Sequence, residues 1–131
     1  MIVLDTNAWI WWVSDPEKLS ARARAVVAAA EKKGDIILSS ISVWEVAVKH
    51  AAGKLDLDRD LRAWLRLATA YPGIRVEPIT QDDAIESVLL PGRLHRDPAD
   101  RFIVALSRRL GAKLVTRDRE IRRYEHVETI W

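Results

Sequence analysis

The chain has 131 residues, 49% hydrophobic and 31% charged, with 5 Gly, 5 Pro and no Cys. That length suits one domain, residues 1–131; the composition excludes a disordered or fibrous protein, and the missing thiols exclude disulfides and thiolate metal sites. The formal net charge is only +2, but 10 Lys/Arg stand against 4 Asp/Glu between Arg93 and Arg123, so the C-terminal third is basic and suited to a polyanion.

Ile2-Val3-Leu4-Asp5 reads as a short buried strand that ends on a carboxylate. Ala8 to Val13 begins a helix, left through Ser14-Asp15-Pro16; this apolar run is too short to span a bilayer. No basic segment precedes an apolar one at the N-terminus, so no membrane association and a cytoplasmic location are expected. Ser20 caps a helix over ARARAVVAAAEKK that stops at Gly34, and Ile36-Ile37-Leu38 is the next strand. Ser42-Val43-Trp44-Glu45 has the form of a capping box opening a helix through His50, closed by Gly53. Asp60 to Ala70 is amphipathic and ends at Tyr71-Pro72-Gly73. A strand over Ile74 to Ile79 precedes a helix capped by Thr80 and broken by Pro91-Gly92. Beyond the polar loop RLHRDP, Asp97 caps a helix with Pro98 as its first residue, running to Leu110 before Gly111. Lys113 to Thr116 is a strand, Asp118 to Tyr124 a short helix, and Val127 to Trp131 a closing strand.

Strands alternating with helices predict an α/β fold, a three-layer α/β/α sandwich on a mainly parallel sheet. In such sheets functional groups gather beyond the C-terminal ends of the strands. Asp5 and Asp118 both follow strands, and Glu45 and Asp100 both fall in predicted first helical turns, so four carboxylates are expected to converge. Clustered carboxylates repel one another, and the usual compensation is a hard divalent cation, Mg²⁺ or Mn²⁺. Thr6, Asn7 and Thr116 add hydroxyl and amide groups beside the same strand ends. Each acid also has a local reading: Glu45 completes a capping box, Asp100 favours a helix dipole and Asp118 caps the last helix. Asp5 has no obvious long helix to cap, so it most requires a polar partner. Asp97 reads as a cap alone, and Asp35, Asp56, Asp58, Asp82 and Asp83 as loop and surface residues. His50 and His95, isolated in helix and loop, are left outside the metal set. Trp9, Trp12 and Trp44 lie in apolar helical stretches and read as core or protein interface ahead of base-stacking surfaces.

Three stretches together resemble the PIN-domain nucleases, and within them the VapC toxins of bacterial and archaeal toxin–antitoxin pairs. IVLDTNAWIWW is similar to the first motif of that family, SSISVWEVAVKHAAGKLDL to the second, and LPGRLHRDPADRFIVALSRRLGAKLVTRDREIRRY to the third and fourth. Ala99 stands where the family often has Phe, and Leu106-Ser107 where Gln-Ala is common. The resemblance implies a PIN-like fold and a Mg²⁺- or Mn²⁺-dependent endoribonuclease. Asp5, Glu45, Asp100 and Asp118 match the catalytic acids, with Asp5, Asp100 and Asp118 as metal ligands and Thr116 at the family's hydroxyl position. It also implies an RNA substrate, a homodimer and a cognate antitoxin, for which the helices near Trp9, Trp12, Val26 and Trp44 offer an apolar groove. Arg93, Arg96, Arg101, Arg117 and Arg119 flank two of the acids and are expected to bind substrate phosphates. The competing readings are a PIN-like RNA-binding or scaffold module without catalysis, and a housekeeping nuclease without an antitoxin.

Overall fold

The computed structural model describes residues 1–131. Its strands are β1 (Ile2–Leu4), β2 (Ile36–Ser39), β3 (Ile74–Glu77), β4 (Lys113–Val115) and β5 (Thr129–Ile130). All pair in parallel in the order β3-β2-β1-β4-β5, which puts β1 in the middle. Seven helices connect them: α1 (Thr6–Ser14), α2 (Ala21–Lys33), α3 (Ser40–Ala51), α4 (Leu61–Ala68), α5 (Gln81–Leu89), α6 (Pro98–Leu110) and α7 (Arg119–Arg123), with a 3₁₀ turn at Pro16–Lys18.

The three central strands are apolar except at Ser39, which ends β2, and the exposed Lys113, which begins β4, because both faces of the sheet are covered. Val3, aligned with Ile37 and Leu114, points into one core with Ile103 and Leu106 of α6 and Ile121 of α7. Its neighbours Ile2 and Leu4, aligned with Ile36 and Leu38, point into the other core with Trp9, Val27 and Trp64. The alternation is the two-residue period of a strand, and it yields the expected three layers. Helix α3 serves both cores, Val46 in one and Ile41 in the other. Trp9 is fully buried; its indole N–H donates to the Ala68 carbonyl at 3.2 Å and its ring meets Trp64 edge-on at 5.2 Å. It is a core residue that ties α1 to α4, and so it is no part of a docking groove. Trp12 packs edge-on against Tyr71, whereas Trp44 is 54% exposed. No helix is long and apolar enough to cross a membrane.

Most helix ends follow their local chemistry. Gly34 and Gly111 close α2 and α6 at φ 69° and 61°, where a Cβ would be strained. Helix α3 begins earlier than its Ser42-Glu45 spacing predicts. Strand β2 runs into it without a loop, and Ser39 Oγ accepts the Ile41 N–H at 3.2 Å as the cap. Ser42 is therefore buried inside the first turn, accepting a hydrogen bond from the Thr6 hydroxyl at 2.9 Å, and Glu45 lies in the second turn, free of capping duty.

Asp83 is buried, not a surface residue. Its carboxylate accepts from Arg109 Nε at 2.7 Å and Nη2 at 3.1 Å, and from the Thr80 N–H at 3.1 Å, joining α5 to α6. Burial pushes this carboxyl up, but the Arg109 fork and the Thr80 N–H outweigh it and hold it below its ordinary range. Asp83→Ala is expected to destabilise the fold by about 2 kcal/mol, since it removes half a capping box and a two-pronged pair whose Arg is partly solvated. Urea unfolding measures this; a loss below about 0.5 kcal/mol, the scale of an exposed pair, contradicts it.

Candidate active site

Parallel pairing brings the C-terminal ends of β1 and β4 side by side, and the chain leaves them in opposite directions, so a crevice opens between them. Asp5 sits at its floor. Its N–H extends the ladder to the Val115 carbonyl at 3.1 Å, while its Oδ1 caps α1 by accepting the Ala8 N–H at 2.7 Å. Asp5 thus does have a helix to cap, contrary to expectation, because α1 starts one residue after the strand.

At the end of β4, Thr116 Oγ1 accepts the Asp118 N–H at 3.1 Å, and Asp118 Oδ1 caps α7 through the Ile121 N–H at 2.9 Å. Asp97 caps α6 by accepting the Asp100 N–H at 3.0 Å, which turns Asp100 inward from the first turn. Glu45 comes from α3, with the Lys49 ammonium 3.4 Å from its carboxylate. Asp5, Glu45, Asp97, Asp100 and Asp118 line one cleft of about 460 Å³ with Thr6, Asn7, Trp11, Lys49 and Arg117. All four predicted acids therefore meet, together with Thr6 and Asn7; Thr116 is buried beneath them.

The predicted arginines divide. Arg117 lines the cleft, its guanidinium 5.9 Å from the Trp11 ring centre. Arg93 and Arg96 line an adjoining hollow with His95 and Glu120. Arg119 is exposed in the first turn of α7. Arg101 does not face the cleft as a free cation. Its guanidinium donates to the carbonyls of Ser87 at 2.7 Å, Leu94 at 3.0 Å, and Val88 and His95 at 3.3 Å, bracing the loop before α6.

Four residues of the site were not assigned to it from the sequence: Lys49 and Trp11, which had no reading, Asp97, read as a cap alone, and His95, left outside the metal set. Lys49 was legible as the i+4 partner of Glu45. Trp11 is half-buried at the edge of the core that holds Trp9, where it meets the Trp131 ring at 5.9 Å, and its remaining surface lines the cleft. His95 Nε2 lies 3.2 Å from Asp100 Oδ2 and 3.8 Å from Asp118 Oδ1, and its only sequence signal is its place two residues before the α6 cap.

The electrostatics are those of crowded acids. Burial pushes the Asp5 carboxyl up to about 6, with Glu45 and Asp118 adding to the rise, although the Thr116 hydroxyl and Ala8 N–H oppose it. Burial pushes Asp100 up to about 8, reinforced by the charges of Asp97, Glu45, Asp5 and Asp118. A hard divalent cation fits this donor set: the ligands are oxygens, the carboxylates are short of cationic partners, and they converge from separate elements.

The PIN domain family model matches residues 2–127. Ribonuclease VapC22 of Mycobacterium tuberculosis is 30% identical over 132 residues, covering 99% of this chain and 98% of the relative. Among solved structures, VapBC2 from Rickettsia felis bound to a promoter DNA fragment superposes with a TM-score of 0.72 at 16% identity, covering 99% of this chain and 98% of that one. A toxin–antitoxin complex from Klebsiella pneumoniae gives 0.65 at 20% identity, covering 100% and 97%. At such identities the two structures speak for the fold.

The raised carboxyls fix the sign of a pH effect. Both groups hold a proton more tightly in the folded chain than at their ordinary value of 3.8. Their contribution to stability is thus complete below about pH 4 and is lost as pH rises through about 6 and then about 8. Lys49, Arg117 and His95 are the neighbouring bases, and Glu45, Asp97 and Asp118 the neighbouring acids. In chelator, the melting temperature is expected to fall between pH 5 and pH 8.5, with the upper part of that slope absent in Asp100→Asn. Mn²⁺ is expected to raise melting more at pH 8 than at pH 5, because it replaces the protons. An equal Mn²⁺ effect at both values contradicts the argument.

Proposed function

The chain belongs to the PIN domain family, and from that premise we propose that it is a cytoplasmic, Mg²⁺- or Mn²⁺-dependent endoribonuclease acting as the toxin of a toxin–antitoxin pair. The observation that carries the reading is the convergence of Asp5, Glu45, Asp100 and Asp118 in one cleft at the sheet's C-terminal edge. RNA as substrate is supported by the relative described as a ribonuclease and by the basic residues around the cleft.

Asp5, Asp100 and Asp118 would hold the cation. When bound, it supplies Lewis acidity to water and to the scissile phosphodiester. Glu45 lies across the cleft and is suited to accept a proton from attacking water. The Thr116 hydroxyl and the Ala8 N–H hold the Asp5 carboxylate in place, leaving it little freedom to turn away. Asn7 presents an exposed amide to the phosphate, and Arg117, Arg93 and Arg96 neutralise the flanking backbone. In-line attack by water leaves a 5′-phosphate on one product and a 3′-hydroxyl on the other.

An inhibitory antitoxin is supported by the complexes among the structural neighbours. With Trp9 buried, its docking surface shifts to Trp44 and Val48 on α3 and Leu67 on α4, which are 54%, 45% and 49% exposed. The exposed Ile85, Val88 and Leu89 of α5 suit a second copy of the chain in a homodimer.

Structured RNA is expected to be cleaved with Mg²⁺ or Mn²⁺ and to survive in chelator. Asp5→Asn and Asp100→Asn are each expected to lower the rate by roughly 100-fold or more. Undiminished cleavage by either variant excludes this site, and tight RNA binding without cleavage by the wild type indicates a scaffold. Replacing Arg93 and Arg96 with Ala is expected to weaken binding and to reduce its salt slope by about 1–2; an unchanged slope removes these residues from the RNA path. A small protein that co-purifies and suppresses cleavage identifies the antitoxin, and its absence favours a housekeeping nuclease.

A further inference from the structure

We propose that His95 is a positioning residue that orients the Asp100 carboxylate toward the cation without being a ligand itself. The inference rests on the reading of the acids as a cation site. It begins from an anomaly: His95 Nε2 is buried yet makes no aligned hydrogen bond. Its nearest acceptor is Asp100 Oδ2 at 3.2 Å, followed by Asp118 Oδ1 at 3.8 Å and Glu120 Oε2 at 3.9 Å. A ring nitrogen among three carboxylates invites assignment as a ligand, and one atom each from His95, Asp100 and Asp118 lies within 4.8 Å of the others.

The other ring nitrogen decides between the two roles. Nδ1 accepts the Asp97 backbone N–H at 3.3 Å, so its lone pair is in use there. A neutral imidazole has one donor and one acceptor, which places the proton on Nε2, facing Asp100. A cation at Nε2 would require the opposite tautomer, with Nδ1–H driven against the Asp97 N–H. Histidines that bind metals ordinarily give their second N–H to an acceptor, and here a donor occupies that position. The arrangement is that of a donor serving a ligand.

The backbone around His95 is built to hold it. Arg101 clamps the carbonyls of Leu94 and His95, and Asp97 fixes the first turn of α6 through the Asp100 N–H. The ring and the carboxylate it serves are therefore anchored to the same short segment. Donation to Oδ2 leaves Oδ1 of Asp100 for the cation and draws Asp100 toward Asp118 without adding a negative charge. Donor contacts of this kind are often loose in an empty site and tighten on loading.

Mn²⁺ binding to the full chain without RNA, followed by the paramagnetic resonance of free Mn²⁺, tests the proposal. His95→Leu keeps the bulk and removes the donor, and is expected to weaken Mn²⁺ binding by roughly 10–100-fold. His95→Gln replaces the Nε2–H with an amide N–H of similar reach and is expected to restore most of the affinity. Metal-free melting temperatures of both variants are expected to stay close to wild type, and nitrogen hyperfine coupling to bound Mn²⁺ is expected to be absent. Wild-type affinity in His95→Leu, no rescue by Gln, or imidazole coupling in the loaded wild type would each overturn the assignment. If the wild-type chain binds no Mn²⁺, the cation site itself is refuted; if it binds and His95→Leu binds equally, only the role of His95 is.

Discussion

Asp5 is held by two structures at once, and the cleft is organised around that fact. Its N–H belongs to the sheet, bonding Val115 at 3.1 Å, and its carboxylate belongs to α1, capping it at 2.7 Å. A carboxylate at the end of an apolar central strand is costly to desolvate unless polar partners meet it. Here the helix terminus supplies one partner and the Thr116 hydroxyl a second. The residue is buried and still unable to leave the sheet edge, so every other acid in the cleft is placed relative to a fixed point.

The local and the collective roles of the acids are compatible. Asp5, Asp97 and Asp118 each use Oδ1 to cap a helix. Capping turns each carboxylate toward the positive end of a helix dipole and leaves its second oxygen unassigned by that bond. Helices that start at the same sheet edge therefore bring their caps together as a by-product of folding. The result is a crowd of carboxylates with Lys49 and Arg117 as nearby counterions. Burial and repulsion raise the Asp5 and Asp100 carboxyls well above their ordinary range.

Arg101 shows how a charged residue in a basic stretch can serve structure. It follows Asp100 and carries the same charge as its basic neighbours, so sequence alone assigned it to phosphate binding. The structure turns it the other way, into the Ser87 and Val88 carbonyls at the end of α5 and the Leu94 and His95 carbonyls of the α5–α6 connection. That segment has few backbone partners of its own, and an unpaired carbonyl near the core is expensive. The guanidinium fork satisfies several at once, and by doing so it sets where Arg93, His95 and Arg96 stand.

By itself the sequence determined the alternation of strands and helices, the parallel three-layer sheet, and the caps at Ser20, Thr80 and Asp97. These follow from short-range rules: apolar period, cap chemistry, and breakers such as Gly34 and Gly111. It also marked Asp5, Glu45, Asp100 and Asp118, Asp5 most clearly because a charge after a buried strand is legible as an exception, but it read Asp97 as a cap alone. Tertiary structure decided what depends on neighbours distant in the chain. Ser42 gave up its predicted cap because β2 feeds α3 directly, Asp83 is buried because Arg109 lies across from it on α6, and Trp9 is enclosed by the core while Trp11, at the edge of that core, also lines the cleft. His95 became part of the site through a distance to Asp100 and Asp118 that no spacing encodes. Pattern rules read one element at a time, whereas burial, pairing and the direction of a side chain are set by whichever elements pack against it.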